Sequence, residues 1–280
     1  MIYAGQKIVF ATMHGKEKQA ARLFKTGLGA EVFVPENLDT DALGTFSGEV
    51  ERKSDALSVA RKKCRLGMKM SGCKIGLASE GSFGPHPVYG FFPAGREVLY
   101  FIDDINGFET HEYALYERTN YAQKILNAPN DLNEFLNQAR FPSHAIILRP
   151  HIWDDKMQIE KGITSHPKAL ESFERFKSLS EDGQVWAETD MRAHLNPMRR
   201  HALMNLSKRL IKRLATPCPS CALPGWGRVD VLAGLPCELC AQPTDSVKAD
   251  IWGCVQCKYK EERPRGKEKA DPANCVFCNP

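Results

Sequence analysis

Four Cys-x-x-Cys pairs constrain this chain more than any other feature of its sequence. They contain eight of the ten cysteines, and all lie in the last quarter of the 280 residues. A Cys-x-x-Cys turn presents two thiolates to one metal ion. Since no basic and then apolar leader opens the chain, we expect metal binding rather than disulfides. The pairs are Cys218/Cys221, Cys237/Cys240, Cys254/Cys257 and Cys275/Cys278.

Eight thiolates in four turns predict two Cys₄ zinc sites. A Cys₄ site leaves no open coordination position, so the two Zn²⁺ ions are expected to be structural. The spacing allows three ways of pairing the turns, and we prefer the pairing of neighbours, as in tandem zinc ribbons. Trp226 and Trp252 are expected to pack over the turns, with stacking on nucleic-acid bases as the alternative.

The composition is that of a soluble globular protein, with 42% hydrophobic and 26% charged residues. No apolar run approaches the ~18 residues that a membrane span needs, so we expect a cytoplasmic protein without a membrane partner. The remaining cysteines, Cys64 and Cys73, are expected to be reduced and structural. The formal net charge of +4 is too small to indicate nucleic-acid binding by itself.

The order of apolar segments before the cysteines predicts an α/β fold. Strands expected at Lys7–Thr12, Glu31–Val34 and Ile75–Ala78 alternate with helices, which is typical of a parallel sheet. We therefore predict a mixed, largely parallel sheet with flanking helices, followed by a small two-zinc module. The expected divisions are a nucleotide-binding-like α/β domain (1–190), a basic connecting helix (191–216) and the zinc-binding module (217–280).

The connecting helix has a clear start at Asn196-Pro197, with Asn as N-cap and Pro at the first helical position. Its apolar stripe includes Leu203, Leu206 and Leu210. The other face is expected to be solvated, although phosphate-backbone binding remains an alternative for it. That basic face comprises Arg199, Arg200, Lys208, Arg209, Lys212 and Arg213.

A Gly/Ser-rich stretch follows the strand at Ile75. We expect a loop over Ser79–Gly84, where Gly81, Ser82 and Gly84 would expose backbone amides to a ligand. Glu80 is the only charge in this stretch, and His86 stands between two prolines. The alternative is an ordinary tight turn with a solvated glutamate.

The whole chain resembles an uncharacterised bacterial family, a domain of unknown function with a cysteine-rich C-terminal end. The segments that carry this resemblance are FATMHGKE, DTDALGTFSGEVER, ASEGSFGPHP, ETDMRAHLNP and CVFCNP. The resemblance covers nearly the full length and brings no established activity.

The first 180 residues also resemble, more distantly, the inosine/xanthosine triphosphate pyrophosphatases. That resemblance implies an elongated α/β fold and Mg²⁺-dependent hydrolysis of non-standard purine nucleoside triphosphates. It places Thr12, His14 and Lys16 in the loop after the first strand, although this family usually has Asn where His14 stands. It assigns the acidic metal ligands to Glu49 or Glu51 and to Glu80, and base recognition to Ser165 and His166, where Pro167 replaces an arginine.

Under this hypothesis Glu49, Glu51 and Glu80 hold Mg²⁺, because this ion prefers oxygen ligands. Lys16, the Thr12 hydroxyl and the amides of Gly81–Gly84 bind phosphate, and His14 or His86 orients water. These groups are expected to meet in one cleft at the ends of the strands. Asp190 and His194 would form a further metal pair if their segment is helical.

Two classes of function therefore remain open from the sequence. The first is a nucleotide-binding protein with a structural zinc module, acting as a metal-dependent nucleoside triphosphate pyrophosphatase. The second is a non-enzymatic zinc-ribbon protein that binds nucleic acid or a protein partner through the basic helix and the module.

Overall fold

A five-stranded mixed sheet forms the first half of the molecule. The computed structural model describes residues 2–13, 15–36, 38, 55–152 and 158–280. The sheet has the order β2-β1-β3-β4-β5, in which β1 is parallel to β2 and β3 and the other pairs are antiparallel. This arrangement confirms the α/β fold class. The strands are β1 (Lys7–Ala11), β2 (Glu31–Phe33), β3 (Ile75–Pro85), β4 (Pro93–Asp103) and β5 (Phe108–Tyr116).

Helices cover both faces of this sheet because each presents an apolar stripe to it. Helix α1 (Glu17–Leu28) and helix α5 (Pro197–Ala215) share one core with the sheet, including Phe24, Leu77 and Leu210. Helix α2 (Ala56–Ser71) buries Ala60 and Cys64 against the opposite face. It begins at Asp55, whose carboxylate accepts the N–H groups of Leu57 and Ser58.

A second, fully antiparallel sheet has the order β6-β9-β7-β8 and packs against helices α3 and α4. Its strands are β6 (Gln123–Leu126), β7 (Ile146–Pro150), β8 (Glu160–Ile163) and β9 (Val185–Thr189); the helices are α3 (Pro129–Ala139) and α4 (His166–Leu179). Strand β9 lies inside this sheet because it pairs with both β6 and β7.

The expected loop at Ser79–Gly84 is wrong. Strand β3 continues through it to Pro85, and each of its residues is paired with one of β4. At Gly81 the glycine has a steric reason rather than a conformational one. A Cβ atom at Gly81 would lie 2.5 Å from Oε2 of Glu97 and 2.7 Å from Nη2 of Arg199, so a larger residue there would displace these two side chains.

Helix α5 starts as predicted, since the Asn196 side chain accepts the N–H of Arg199 at 3.0 Å. The expected solvated basic face is wrong at its first member, because Arg199 is fully buried. The helix packs against α1, β4 and β5 along its apolar stripe. The proposed domain boundaries themselves stay a prediction.

The cysteine module, residues 217–280, is built on a third sheet of β10 (Gly227–Ala233), β11 (Val247–Gly253) and β12 (Lys260–Pro264). It is anchored to the first sheet by its third cysteine turn. There Val255 packs on the core beside Phe108, and the Gln256 amide donates to the carbonyl of Gly107 at 3.3 Å. Among the described residues, no helix is long and apolar enough to cross a membrane.

Candidate functional site

Strand β1 ends before its neighbour β3 does, and this difference creates the site. Ala11 is paired with Ala78, after which β3 continues without a parallel partner. The chain turns at Gly15, which has a φ of 66°, and enters helix α1. The ammonium of Lys16 then contacts β3 just past the end of β1, donating to the Ser79 hydroxyl at 2.9 Å.

Lys63 approaches the same place from the other face of the sheet. Helix α2 comes close to β1 at Gly67, where an added Cβ would lie 3.0 Å from that of Ala11. Lys63 is one helical turn nearer the end of β1 and points inward like Gly67. Its ammonium donates to Oε2 of Glu80 at 2.7 Å, and the two side chains are only 9% and 2% exposed.

A second ion pair joins β4 to the start of α5. Arg199 donates to both carboxylate oxygens of Glu97, at 3.0 and 3.1 Å, and both side chains are fully buried. A further N–H of Arg199 donates to the carbonyl of Met191 at 2.6 Å. A bidentate arginine–carboxylate pair of this kind is rigid and strongly oriented. We call Lys16, Lys63, Glu80, Glu97 and Arg199 together the strand-end cluster.

The strand-end cluster contains three cations and two carboxylates. Burial and, to a smaller extent, the charge of Arg199 lower the pKa of Lys16 to about 8, although Glu97 and Glu80 act in the opposite direction. Lys63 also disfavours the charged form of Lys16. The cluster therefore holds one buried positive charge in excess, which an anion would neutralise.

The sequence did not identify three members of this cluster. Lys63 shares the inner face of α2 with Ala60 and Gly67 at helical spacing, and no motif in the sequence marks it. Glu97 stands directly opposite Gly81 in the antiparallel register, so a strand assignment for Ser79–Gly84 would have pointed to it. Arg199 is buried because the first turn of α5 packs on the first sheet, where Arg199 binds Glu97 of β4.

The predicted site residues lie in different places in the structure. Their assignment as a single functional site stays a prediction. Lys16 and Glu80 belong to one cluster, and Thr12 is buried at the end of β1. Gly81 lies within the cluster, whereas Ser82 and Gly84 continue β3 away from it. Glu49, Glu51 and His14 lie outside the described residues.

The predicted histidines of the described residues take part in local structure. His86 is buried at the β3–β4 turn, where its Nδ1 accepts the N–H groups of Val88 and Tyr89 at 3.2 Å. His166 follows Ser165 at the start of α4 and packs edge-on against Phe141. No contact between this pair and the strand-end cluster is observed in the part of the chain that the structure describes.

The segment with Asp190 and His194 is not α-helical, so the expected one-turn spacing does not occur. Asp190 is fully buried and is bound by the guanidinium of Arg192 at 2.6 Å. His194 lies beside the turn before Lys16, since a Cβ at Gly15 would be 3.8 Å from that of His194. The segment therefore borders the strand-end cluster without forming the expected metal pair.

The cysteines form two separate groups of four. One contains Cys218, Cys221, Cys254 and Cys257, and the other contains Cys237, Cys240, Cys275 and Cys278, with the sulfurs of each group within 4.8 Å of one another. Four Sγ···Sγ separations of 3.6 to 3.8 Å match the ~3.8 Å edge of a tetrahedron with metal–sulfur bonds of ~2.3 Å. They are far too long for disulfides. Each group could hold one metal ion.

The preferred pairing of neighbouring turns is wrong, because the first turn joins the third and the second joins the fourth. The antiparallel order of the third sheet explains this alternation. Gly227 at the start of β10 is paired with Gly253 at the end of β11, so the turns just before and just after these strands meet at one end. The other two turns meet at the opposite end, where β12 finishes beside Ala249.

Backbone amides donate hydrogen bonds to sulfurs of both cysteine groups. The N–H groups of Ser220, Leu239 and Gln256 each donate to a cysteine sulfur in their own turn, at 3.3 to 3.4 Å. Such donors stabilise the thiolate, and the N–H of Cys240 is the main cause that lowers the pKa of Cys237 to about 7. Thiolates are the form that binds metal.

A groove of about 760 Å³ lies between β5, the end of α5 and the cysteine module. Its charges largely neutralise one another: Arg209 is 2.8 Å from Glu112, and Arg228 is 3.4 Å from Asp250. Trp226 is buried and stacks on Tyr259. Nucleic-acid or protein binding by this surface stays a prediction.

Three comparisons place the chain among known proteins. No curated protein matches it. Among solved structures it is similar to protein VC0702 from Vibrio cholerae, with 17% identity and a TM-score of 0.28 over 48% of this chain and 70% of that one. A similarity of this size supports neither a fold nor a function.

A family profile matches residues 63–280, which include both cysteine groups and every member of the strand-end cluster except Lys16. The family is described as a domain of unknown function, DUF6671. Because the match covers well over half of the chain, the protein belongs to the DUF6671 family.

Proposed function

We propose that the protein binds a nucleotide through its phosphate group at the strand-end cluster, and that the cysteine module is a structural support for two zinc ions. The observation that carries the proposal is the buried ammonium of Lys16. It stands at the end of a parallel strand, its pKa is lowered to about 8, and the five charges of the cluster leave a positive excess.

The location favours a phosphate for two further reasons. Ligands of open α/β sheets bind at the carboxyl ends of parallel strands, where β1 ends here. Helix α1 begins at Glu17, directly after Lys16, so its N-terminal dipole also favours an anion. Its first amides and the Lys16 ammonium are then available to the same phosphate group.

Zinc is the metal that best fits the two cysteine groups. Four thiolates in a tetrahedral arrangement suit Zn²⁺ or an iron–sulfur centre, and a mononuclear closed site favours zinc. A small module with exposed strands such as β10 gains most of its stability from such ions. The cysteine module would then hold α5 and β5 in place through Val255 and Gln256.

Hydrolysis of the nucleotide is the finer prediction that the pyrophosphatase resemblance implies. It requires Mg²⁺ on Glu49, Glu51 and Glu80. Two of these residues lie outside the described part of the chain, and Glu80 is paired with Lys63. We therefore propose nucleotide binding only. Hydrolysis would be tested separately, by measuring the release of pyrophosphate.

The test compares nucleotides with the corresponding nucleosides in a thermal-shift screen of the full chain. Nucleotides should raise the melting temperature and nucleosides should not, because the phosphate supplies the contact. Equal shifts for both, or no shift with any nucleotide at millimolar concentration, would refute the proposal.

A further inference from the structure

Glu80, which the pyrophosphatase resemblance assigns as a metal ligand, already forms an ion pair with Lys63. The ammonium of Lys63 lies 2.7 Å from Glu80, and packing of helix α2 holds it there, with Ala60, Cys64 and Gly67 buried on the same face. A divalent ion bound to Glu80 would have to share this buried space with the ammonium and would be repelled by it.

The other carboxylate of the strand-end cluster is equally engaged. Both oxygens of Glu97 accept hydrogen bonds from the guanidinium of Arg199, and neither side chain is exposed to solvent. Mg²⁺ requires near-octahedral oxygen ligation and keeps several of its waters. In the described cluster, both oxygens of Glu97 and Oε2 of Glu80 are therefore already engaged by cationic side chains.

The strand-end cluster nevertheless contains a positive charge that could bind a phosphate, on Lys16. Once each carboxylate is matched with its cation, Lys16 remains, and its hydrogen bonds to described residues go to Ser79. We propose that Lys63 takes the place of a divalent cation at Glu80, so that the protein binds a phosphate monoester without any divalent metal. This inference rests on the proposed function and specifies the form in which the anion is bound.

Calorimetric titration of the full chain with inosine monophosphate tests it, in metal-free buffer and in buffer with Mg²⁺ at millimolar concentration. A monophosphate is chosen because it holds Mg²⁺ only weakly in solution. Chelators are avoided because they would remove metal from the cysteine groups. The two dissociation constants should agree within about threefold.

Substituting the lysine should create the metal dependence that the wild type lacks. Lys63→Met leaves Glu80 without a cation, so affinity in metal-free buffer should fall at least about tenfold and Mg²⁺ should restore it. Lys69→Met, an exposed position on the same helix, should behave like the wild type. The double variant Lys63→Met/Glu80→Gln removes the whole ion pair, so it should fold and again bind without Mg²⁺.

The outcomes separate this inference from the proposed function. Wild-type binding that strengthens more than about tenfold with Mg²⁺ would overturn the inference and leave the phosphate site standing. Binding in neither buffer would overturn both. If Lys63→Met does not fold, the wild type and the double variant decide, because metal-dependent binding by either one contradicts the role given to Lys63.

Discussion

The cysteine groups and the strand-end cluster are both sites assembled from distant parts of the chain, but they are encoded differently. Each cysteine turn is a four-residue motif that is recognisable wherever it stands, such as Cys218/Cys221. The strand-end cluster takes one residue each from α1's start, α2, β3, β4 and α5. A lysine or glutamate carries no local signature of such a role. The difference shows that motif chemistry can be predicted from sequence, whereas charge clusters emerge only from packing.

The two regions also differ in what stabilises them. The cysteine module has a small third sheet whose first strand is mostly exposed, so we expect its folding to depend on metal ions held by the cysteines. The strand-end cluster lies between two apolar cores, and four of its five charges are tolerated because they form two ion pairs. Removing metal should therefore affect one region, and breaking an ion pair should affect the other.

The largest effect is expected from metal removal. Structural zinc contributes roughly 10 kcal/mol or more to such modules. A strong chelator should unfold residues 217–280, seen as rapid amide exchange by mass spectrometry, while β1, β3 and β4 remain protected. Uniform loss of protection in both regions would contradict the separation between them.

The next largest effect is expected from breaking one of the two cysteine groups. It should be confined to one end of the module, because the first turn joins the third and the second joins the fourth. Cys218→Ser should release one of two metal ions and make Cys221, Cys254 and Cys257 reactive to alkylation, because all four belong to one group. The second group, represented by Cys240, should stay protected. Cys73→Ser, outside both groups, is the control; reactivity of Cys237 and Cys240 instead would restore the neighbouring pairing.

Two glycines of strand β3, Gly81 and Gly84, provide a matched test of the strand-end cluster. Gly81→Ala would force Glu97 and Arg199 apart and should cost about 3 to 5 kcal/mol, the effect of breaking a buried ion pair. Gly84→Ala meets no atom within 4 Å and should change stability by less than about 1 kcal/mol. Denaturant unfolding measures both; equal effects would show that Gly81 is not sterically required.

The smallest effect concerns the titration of Lys16. Its pKa is lowered in the folded state from 10.5 to about 8, so the unfolded chain binds more protons between these values. Wild-type stability should therefore rise with pH from about 8 to 10.5 relative to Lys16→Met, by at most ~3 kcal/mol. Urea unfolding at several pH values measures the difference, and a flat difference would show that Lys16 is not perturbed.

Features that depend on a local motif can be predicted from the sequence, and features that depend on packing cannot. The assembly of the eight cysteines into two groups of four, the α/β class and the Asn196 cap can be predicted because each depends on a local motif or a period. The pairing of the turns was not, because it depends on the strand order of β10, β11 and β12. The loop expected at Ser79–Gly84 is wrong because Gly81 marks the close approach of Glu97 and Arg199, which are distant in sequence, and not a turn.

The central claim is that Lys16 and its cluster bind the phosphate of a nucleotide. Calorimetric titration with inosine monophosphate of the wild type, Lys16→Met and the exposed control Lys18→Met tests it most directly. A hydrogen bond to a charged group contributes about 1.5 to 3 kcal/mol, so Lys16→Met should weaken binding at least about tenfold while Lys18→Met binds like the wild type. Equal affinities for all three proteins, or no binding by the wild type, would contradict the claim.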